Sequence, residues 1–295
     1  MYHESVGDGV RWVMDHLPYY GRWYRFLVLW PGSDKGLDAA RVDPAYPDQD
    51  YAVSEINAAA RMMFTDWITN QVDGEQDLLA KVLPDYPATG KRTLQDNGTW
   101  LRTLRRDDVE LVRTAIERIT PDGIVTTDGA TYDVDAIVYA TGFRHTDVLW
   151  PMTITGRDGV DLHRVWGRRP YAYLGITVPG FPNFFVIYGP GAHLAHGGSL
   201  IFNSELQMRY INSCLAQLVE AKIHSVEPTA EAAADWHQRT QAEIKQMVWS
   251  HPAVKHSYFK NADGEIHTVS PWRLNEYWAA TREPDWSQFV VIARR

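Results

Sequence analysis

Few residues of this 295-residue sequence combine a reactive type with a telling spacing, and the most concentrated are two cations. Lys91-Arg92 follows Asp85-Tyr86-Pro87 and Gly90 and precedes Asp96-Asn97-Gly98, so turn residues bracket the pair. A guanidinium is always protonated and presents a rigid fork of donors, while an ammonium is a compact point charge. Both are suited to holding anionic oxygen. On its own such a pair is only a solvated basic spot on a loop, and the setting is what favours a site. His193 and His196 have an i, i+3 spacing that invites a metal. No nearby cysteine or carboxylate completes a ligand set, and Ser199 reads better as a helix N-cap. No Gly-x-Ser-x-Gly elbow accompanies Ser204-Glu205 or the histidines, so no nucleophilic triad is expected.

The elements that must position these groups follow from periodicity and turn chemistry. Asp135 opens an apolar run, Ile137-Val138-Tyr139, that closes on Ala140-Thr141-Gly142. This pattern predicts a buried strand whose glycine end lets the backbone approach a neighbour closely. In a sheet that binds a flat cofactor, the ligand lies outside such a strand end. His193-Leu194-Ala195-His196-Gly197-Gly198-Ser199 leads into an amphipathic helix over 199–221, whose first N–H groups can stabilise negative charge. Further helices are expected over 9–30, aromatic and interrupted by Pro18, and over 53–70, 76–82 and 229–250, with a helix or turn at 99–104. Residues 32–47 read as a turn-rich surface connection. Strands are expected at 109–112, 116–119, 124–127, 135–140 and 184–188, with Pro121-Asp122-Gly123 and Thr127-Asp128-Gly129 as hairpin turns.

Composition narrows the function classes. Hydrophobic residues make up 45% and charged residues 22%, as in a folded globular chain rather than a disordered one. A net charge of −8 argues against nucleic acid as a partner. The lone cysteine, Cys214, excludes an intrachain disulfide, fits a reducing cytoplasm and lies in an apolar helix where it packs. No run is long enough to span a bilayer, and Met1-Tyr2-His3-Glu4 does not open a signal peptide. The 12 tryptophans and 15 tyrosines imply large apolar surfaces with polar tips, as in a pocket or an interface.

The Asp-x-x-x-x-Ala-Thr-Gly pattern of 135–142 resembles a signature of flavoprotein monooxygenases and related two-dinucleotide oxidoreductases. Asn97-Gly98 and the segment Asp107 to Val112 precede it as they do in Baeyer–Villiger monooxygenases. Tyr173-Leu174-Gly175-Ile176, Pro179 to Phe185 and Gly189-Pro190-Gly191 follow it in the same likeness, as do Ser270-Pro271-Trp272-Arg273 and Tyr277-Trp278. The series is similar to the C-terminal half of those enzymes, most of all to the branch acting on 4-hydroxyacetophenone and other ketones. The resemblance implies an α/β chain, a partial two-dinucleotide-binding flavoprotein fold with helical insertion. Residues 1–134 would be the remainder of an NADPH-binding domain with that insertion and an antiparallel ribbon. Residues 135–295 would be the C-terminal part of an FAD-binding domain with C-terminal helices and a lid loop.

The same resemblance assigns roles. Arg92 matches the arginine that stabilises the anionic peroxide and the adduct it forms on a ketone carbonyl, and Lys91 a lysine that reads the NADPH 2′-phosphate. Thr141 and Gly142 would approach FAD, His196, Gly197 and Gly198 would lie at the flavin N1/C2 region, and Tyr258 would sit on a loop folding over NADP. The implied partners are a small-molecule ketone and O2. Two Gly-x-Gly-x-x-Gly fingerprints and a Phe-x-Gly-x-x-x-His-x-x-x-Trp signature of the family do not occur. Gly7-Asp8-Gly9 lacks the third glycine, and Gly189-Pro190-Gly191 continues as Ala192-His193-Leu194. The expectation is a monooxygenase without its N-terminal half, with a separate N-terminal half as partner. Alternatives are a non-catalytic split chain and a flavin monooxygenase that oxygenates nitrogen or sulfur.

Overall fold

The computed structural model describes residues 6–93 and 97–294, so Met1-Tyr2-His3-Glu4 and Asp96 lie outside the described residues. In chain order come helices α1 (Asp8–His16), α2 (Tyr20–Ala40), α3 (Glu55–Val72), α4 (Gln76–Val82) and α5 (Thr99–Leu104). Strands β1 (Ile116–Thr120), β2 (Gly123–Thr126) and β3 (Thr131–Asp133) follow, then α6 (Leu162–Trp166), β4 (His193–Leu194) and α7 (Leu200–Glu220). The chain closes with β5 (Ile223–Pro228), α8 (Ala230–Ile244), β6 (Val269–Ser270), α9 (Leu274–Ala280) and β7 (Phe289–Ala293). Two compact units result. The first comprises Met1–Arg61, Asp85–Thr93 and His145–Arg295, and the second Met62–Pro84 and Leu94–Arg144.

In the first unit, helices are built around three apolar clusters. α7 buries Leu206, Tyr210, Ile211 and Cys214 on one face, the i, i+4, i+5, i+8 spacing of an amphipathic helix. Ser199 caps it, its hydroxyl accepting the N–H of Phe202 at 3.2 Å, as the sequence predicts. Burial pushes the Cys214 thiol up to about 12, so it packs as an inert apolar group. α8 is capped in the same way by Thr229 and turns Trp236 and Ile244 inward. β5 and β7 pair antiparallel from Ile223–Ala293 to Pro228–Phe289, a ribbon the sequence pattern does not announce. β4 and β6 make a two-residue parallel pair.

α2 corrects the expected turn-rich stretch at 32–47. The helix runs through Pro31 and on to Ala40, because Leu37 and Ala40 join a core with Val53, Trp249 and Phe259. Burial of that face outweighs one helical hydrogen bond lost at Pro31. Only the stretch after Arg41 is irregular. The expected strand at 184–188 is likewise reduced to a single bridge, Thr177 to Phe185.

The second unit holds the antiparallel meander β1-β2-β3, with tight turns at Pro121-Asp122 and Thr127-Asp128-Gly129 as expected. Asp128 locks the second turn by accepting from Thr126 Oγ1 at 2.6 Å and from Ala130 N at 3.2 Å. The expected strand at 109–112 is irregular backbone, and so is the buried strand expected at 135–140. Val138 and Tyr139 are 87% and 71% exposed instead. A strand needs a neighbour to take its N–H and C=O groups, and among the described residues none lies alongside this one.

Candidate functional site

The turn carrying the two cations is held by its backbone carbonyls. Asn57, buried on α3, donates its amide to Ala39 O at 2.6 Å and to Ala88 O at 2.8 Å. Trp249 Nε1 donates to Thr89 O at 3.2 Å, and the Arg61 guanidinium donates to Tyr86 O. Gly90 completes the turn where no side chain fits, since a Cβ there would stand 2.7 Å from Val254 Cγ2. Three carbonyls captured by three side chains give Lys91 and Arg92 a fixed base.

From that base the two cations take different aromatic partners. Lys91 Nζ lies 4.3 Å from the Tyr86 ring centre, and the Arg92 guanidinium carbon lies 5.4 Å from that of Tyr258. Arg92 is exposed and has no carboxylate against it among the described residues. Lys260 donates its ammonium to Val254 O, and burial together with the nearby Lys91 lowers its affinity for a proton. Tyr258 stacks on His145 at 3.9 Å between ring centres. His145 Nε2 lies 2.9 Å from Thr268 Oγ1. Burial first, then His193 and Arg92, pull the His145 imidazole down to about 4, so the ring is neutral at physiological pH.

The loop into α7 forms a second locus in the same unit. His193 Nε2 donates to Tyr188 O at 2.8 Å, and its ring stacks on Tyr188 at 4.6 Å. His196 is 6% exposed, and its Nδ1 donates to Ser33 O at 3.3 Å beneath α2; burial lowers its pKa. The two histidines thus face different partners. Gly36 of α2 meets this loop directly, because a Cβ there would stand 1.9 Å from His196 O. Gly197 and Gly198 are exposed and take φ of 111° and 92°, a region L side chains rarely enter. Among the described residues no group of three or more His, Cys, Asp or Glu side chains gathers as a metal site would require.

Six of the eight sequence-derived site residues, Lys91, Arg92, His196, Gly197, Gly198 and Tyr258, belong to the first unit. Of these the structure brings Arg92 and Tyr258 together, and makes Gly197-Gly198 the exposed entry to α7. Thr141 and Gly142 belong to the second unit, exposed on the irregular segment; Gly142 has φ of 83° and nothing within 4 Å of where a Cβ would stand. Sequence reasoning missed His145, Thr268, Tyr188 and Asn57. Only His145 had a local signal, as the first histidine after the Gly142 turn.

No protein-family model matches the chain. An uncharacterised monooxygenase of Sinorhizobium fredii is 37% identical over 292 residues, which span 99% of this chain and 44% of that protein. A Baeyer–Villiger monooxygenase of Pseudomonas aeruginosa is 31% identical over 215 residues, 73% of this chain and 41% of its own. Among solved structures, an oxidised steroid monooxygenase bound to NADP superposes with a TM-score of 0.70 at 30% identity, over 85% of this chain and 47% of that one. The OTEMO complex with FAD and NADP superposes with a TM-score of 0.69 at 26% identity, over 80% of this chain and 44% of that one. The chain therefore spans less than half the length of the relatives it matches. The chain is thus similar to the C-terminal half of longer flavoprotein monooxygenases, among them enzymes of Baeyer–Villiger type.

Proposed function

We propose that this chain is the charge-stabilising part of a FAD- and NADPH-dependent monooxygenase of Baeyer–Villiger type. The reaction inserts one oxygen of O2 next to the carbonyl of an aryl or aliphatic ketone. The observation that carries this reading is Arg92, an exposed guanidinium on a clamped turn, against an aromatic ring and with no carboxylate to neutralise it among the described residues. Such a cation keeps its full charge for an anionic oxygen.

The residues that would face a flavin ring fit a flat group. Gly197 and Gly198 are exposed in backbone conformations that L side chains rarely adopt, and Thr141 and Gly142, in the other unit, would approach FAD as the resemblance implies. Bound FAD would supply the activation of O2 with electrons from NADPH. The N-terminus of α7 would present its N–H groups to the pyrimidine edge, with buried His196 bracing the loop from inside. Arg92 would stabilise the negative charge that develops on oxygen as it adds to the carbonyl. Lys91 would hold the 2′-phosphate of NADPH, and Tyr258 would pack on the nucleotide. In this reading residues 1–134 complete an NADPH-binding domain and 135–295 an FAD-binding one.

The Gly-x-Gly-x-x-Gly turns that cradle dinucleotide phosphates do not occur among the 295 residues. We place them on polypeptide outside this sequence, such as a separate N-terminal half. Among the described residues no helix is long and apolar enough to cross a membrane, and the single cysteine suits a cytoplasmic setting. Oxygenation of nitrogen or sulfur is the second reading, and it makes little demand on Arg92.

Arg92→Ala decides between them in the FAD-loaded enzyme. Ester formation from a ketone should fall about a hundredfold or more, the loss of one charged donor being worth roughly 3–4 kcal/mol. Flavin reduction by NADPH should stay near the parent rate, because hydride transfer precedes the step that needs the guanidinium. Ester formation at the parent rate would remove Arg92 from the mechanism.

A further inference from the structure

Arg92 and His145 meet the same ring. The Arg92 guanidinium carbon is 5.4 Å from the centre of Tyr258, and the His145 imidazole stacks on Tyr258 at 3.9 Å with 20° between planes. We propose that His145 is a positioning residue for Arg92, acting through Tyr258. The catalytic meaning of this proposal rests on the reading of Arg92 given above.

An exposed arginine on a turn samples many rotamers, and among the described residues no carboxylate holds this one. An aromatic face holds a guanidinium without neutralising it. Tyr258, however, is itself a half-exposed loop residue, 38% accessible, so its ring needs a support of its own. His145 supplies one that is anchored independently. Its Nε2 lies 2.9 Å from Thr268 Oγ1, and the Thr268 carbonyl takes the N–H groups of both Gly191 and His193 at 3.0 Å. That frame continues into the β4–β6 pair at His193–Val269. The chain of contact thus runs from a hydrogen-bonded frame through two stacked rings to the guanidinium.

The state of the imidazole suits the task. The groups facing it include Arg92, His193, Tyr258, Phe259 and Thr268, and none of these carries a negative charge at neutral pH. Burial and the two basic neighbours keep the ring neutral, so it stacks on Tyr258 without repelling the guanidinium. Phenylalanine preserves the ring and removes both nitrogens, whereas alanine removes the support altogether.

The test compares His145→Ala and His145→Phe in the isotope-labelled chain, reading the Arg92 Nε–H signal by NMR. That signal is identified by its loss in Arg92→Lys, and the backbone amide spectrum verifies that each variant is folded. H145A should move the Arg92 Nε–H signal towards that of a free arginine and hasten its exchange with water. H145F, which keeps a stacking ring but loses the bond to Thr268, should leave it between the H145A and parent positions. An unchanged signal in H145A overturns the proposal, and so does H145F displaced as far as H145A, since a retained ring would then give no support. In the FAD-loaded enzyme H145A should lower kcat for ketone oxygenation about tenfold or more, as expected for a misplaced catalytic group. H145F should recover part of that loss; an H145A enzyme with the parent kcat would overturn the proposal. If the NMR coupling is present while Arg92→Ala still makes ester, the assignment of Arg92 fails and the positioning contact stands.

Discussion

Two adjacent cations take different rings as partners. Lys91 lies on Tyr86 of its own turn, and Arg92 reaches Tyr258 from a distant loop. Neither guanidinium nor ammonium is neutralised by that contact, so each keeps an anion-binding capacity. If Lys91 reads the 2′-phosphate, Lys91→Ala should lower kcat/KM for NADPH far more than for NADH, because only NADPH carries that phosphate. The expected difference is that of one charged hydrogen bond, about 1.5–3 kcal/mol, or roughly ten- to a hundredfold. Equal losses with both nucleotides would give the lysine a structural role on the turn instead. The pair itself was legible in the sequence because the turn residues around it are local. Its clamp was not, since Asn57, Arg61 and Trp249 reach the turn from far along the chain.

At the scale of elements, the seating of α2 on the loop before α7 is the contact most open to test. Gly36 permits it, since a Cβ would stand 1.9 Å from His196 O, while Ser33 meets the His196 ring from the same helix. Gly36→Ala should therefore destabilise the chain by about 1–3 kcal/mol through overpacking. Gly21 lies in the same helix with nothing within 4 Å of its Cβ position. Gly21→Ala should be neutral or stabilising, by up to about 1 kcal/mol. Urea unfolding midpoints of the two variants check this, and a Gly36→Ala chain as stable as its parent would mean that α2 does not sit on the loop. The sequence suggested a turn-rich stretch here because Pro31, Gly32 and Gly36 are locally poor helix formers. The partners that outweigh them, Val53 and Trp249, are supplied by tertiary packing.

On the scale of the whole molecule, exposed apolar surface is the feature with consequences in solution. In the second unit Val138, Tyr139 and Phe143 are 87%, 71% and 90% exposed on one short segment. In the first, Trp12, Trp23, Phe26 and Leu27 are exposed on α1 and α2. Surfaces of this kind associate in water. Light scattering during size-exclusion chromatography should show mass rising with concentration, and a dye sensitive to apolar surface should brighten. Val138→Lys with Phe143→Lys should shift the population towards monomer. A monodisperse, dye-silent parent chain would show that these side chains are covered in solution.

What the sequence determined by itself is what short-range physics controls. The caps at Ser199 and Thr229, the helices α4, α5 and α7, and the two hairpin turns of the β1-β2-β3 meander are set by residues within a few positions of one another. The family likeness was legible for the same reason, its motifs being short runs. The tertiary structure decided the rest. Asp135–Ala140 has a strand's composition and no strand's hydrogen bonds, because a strand exists only beside a partner. The β5–β7 ribbon joins residues on either side of α8 and α9, and no local pattern specifies that choice. His145 reaches the site through Thr268 and Tyr258, far along the chain, where only folding brings them together.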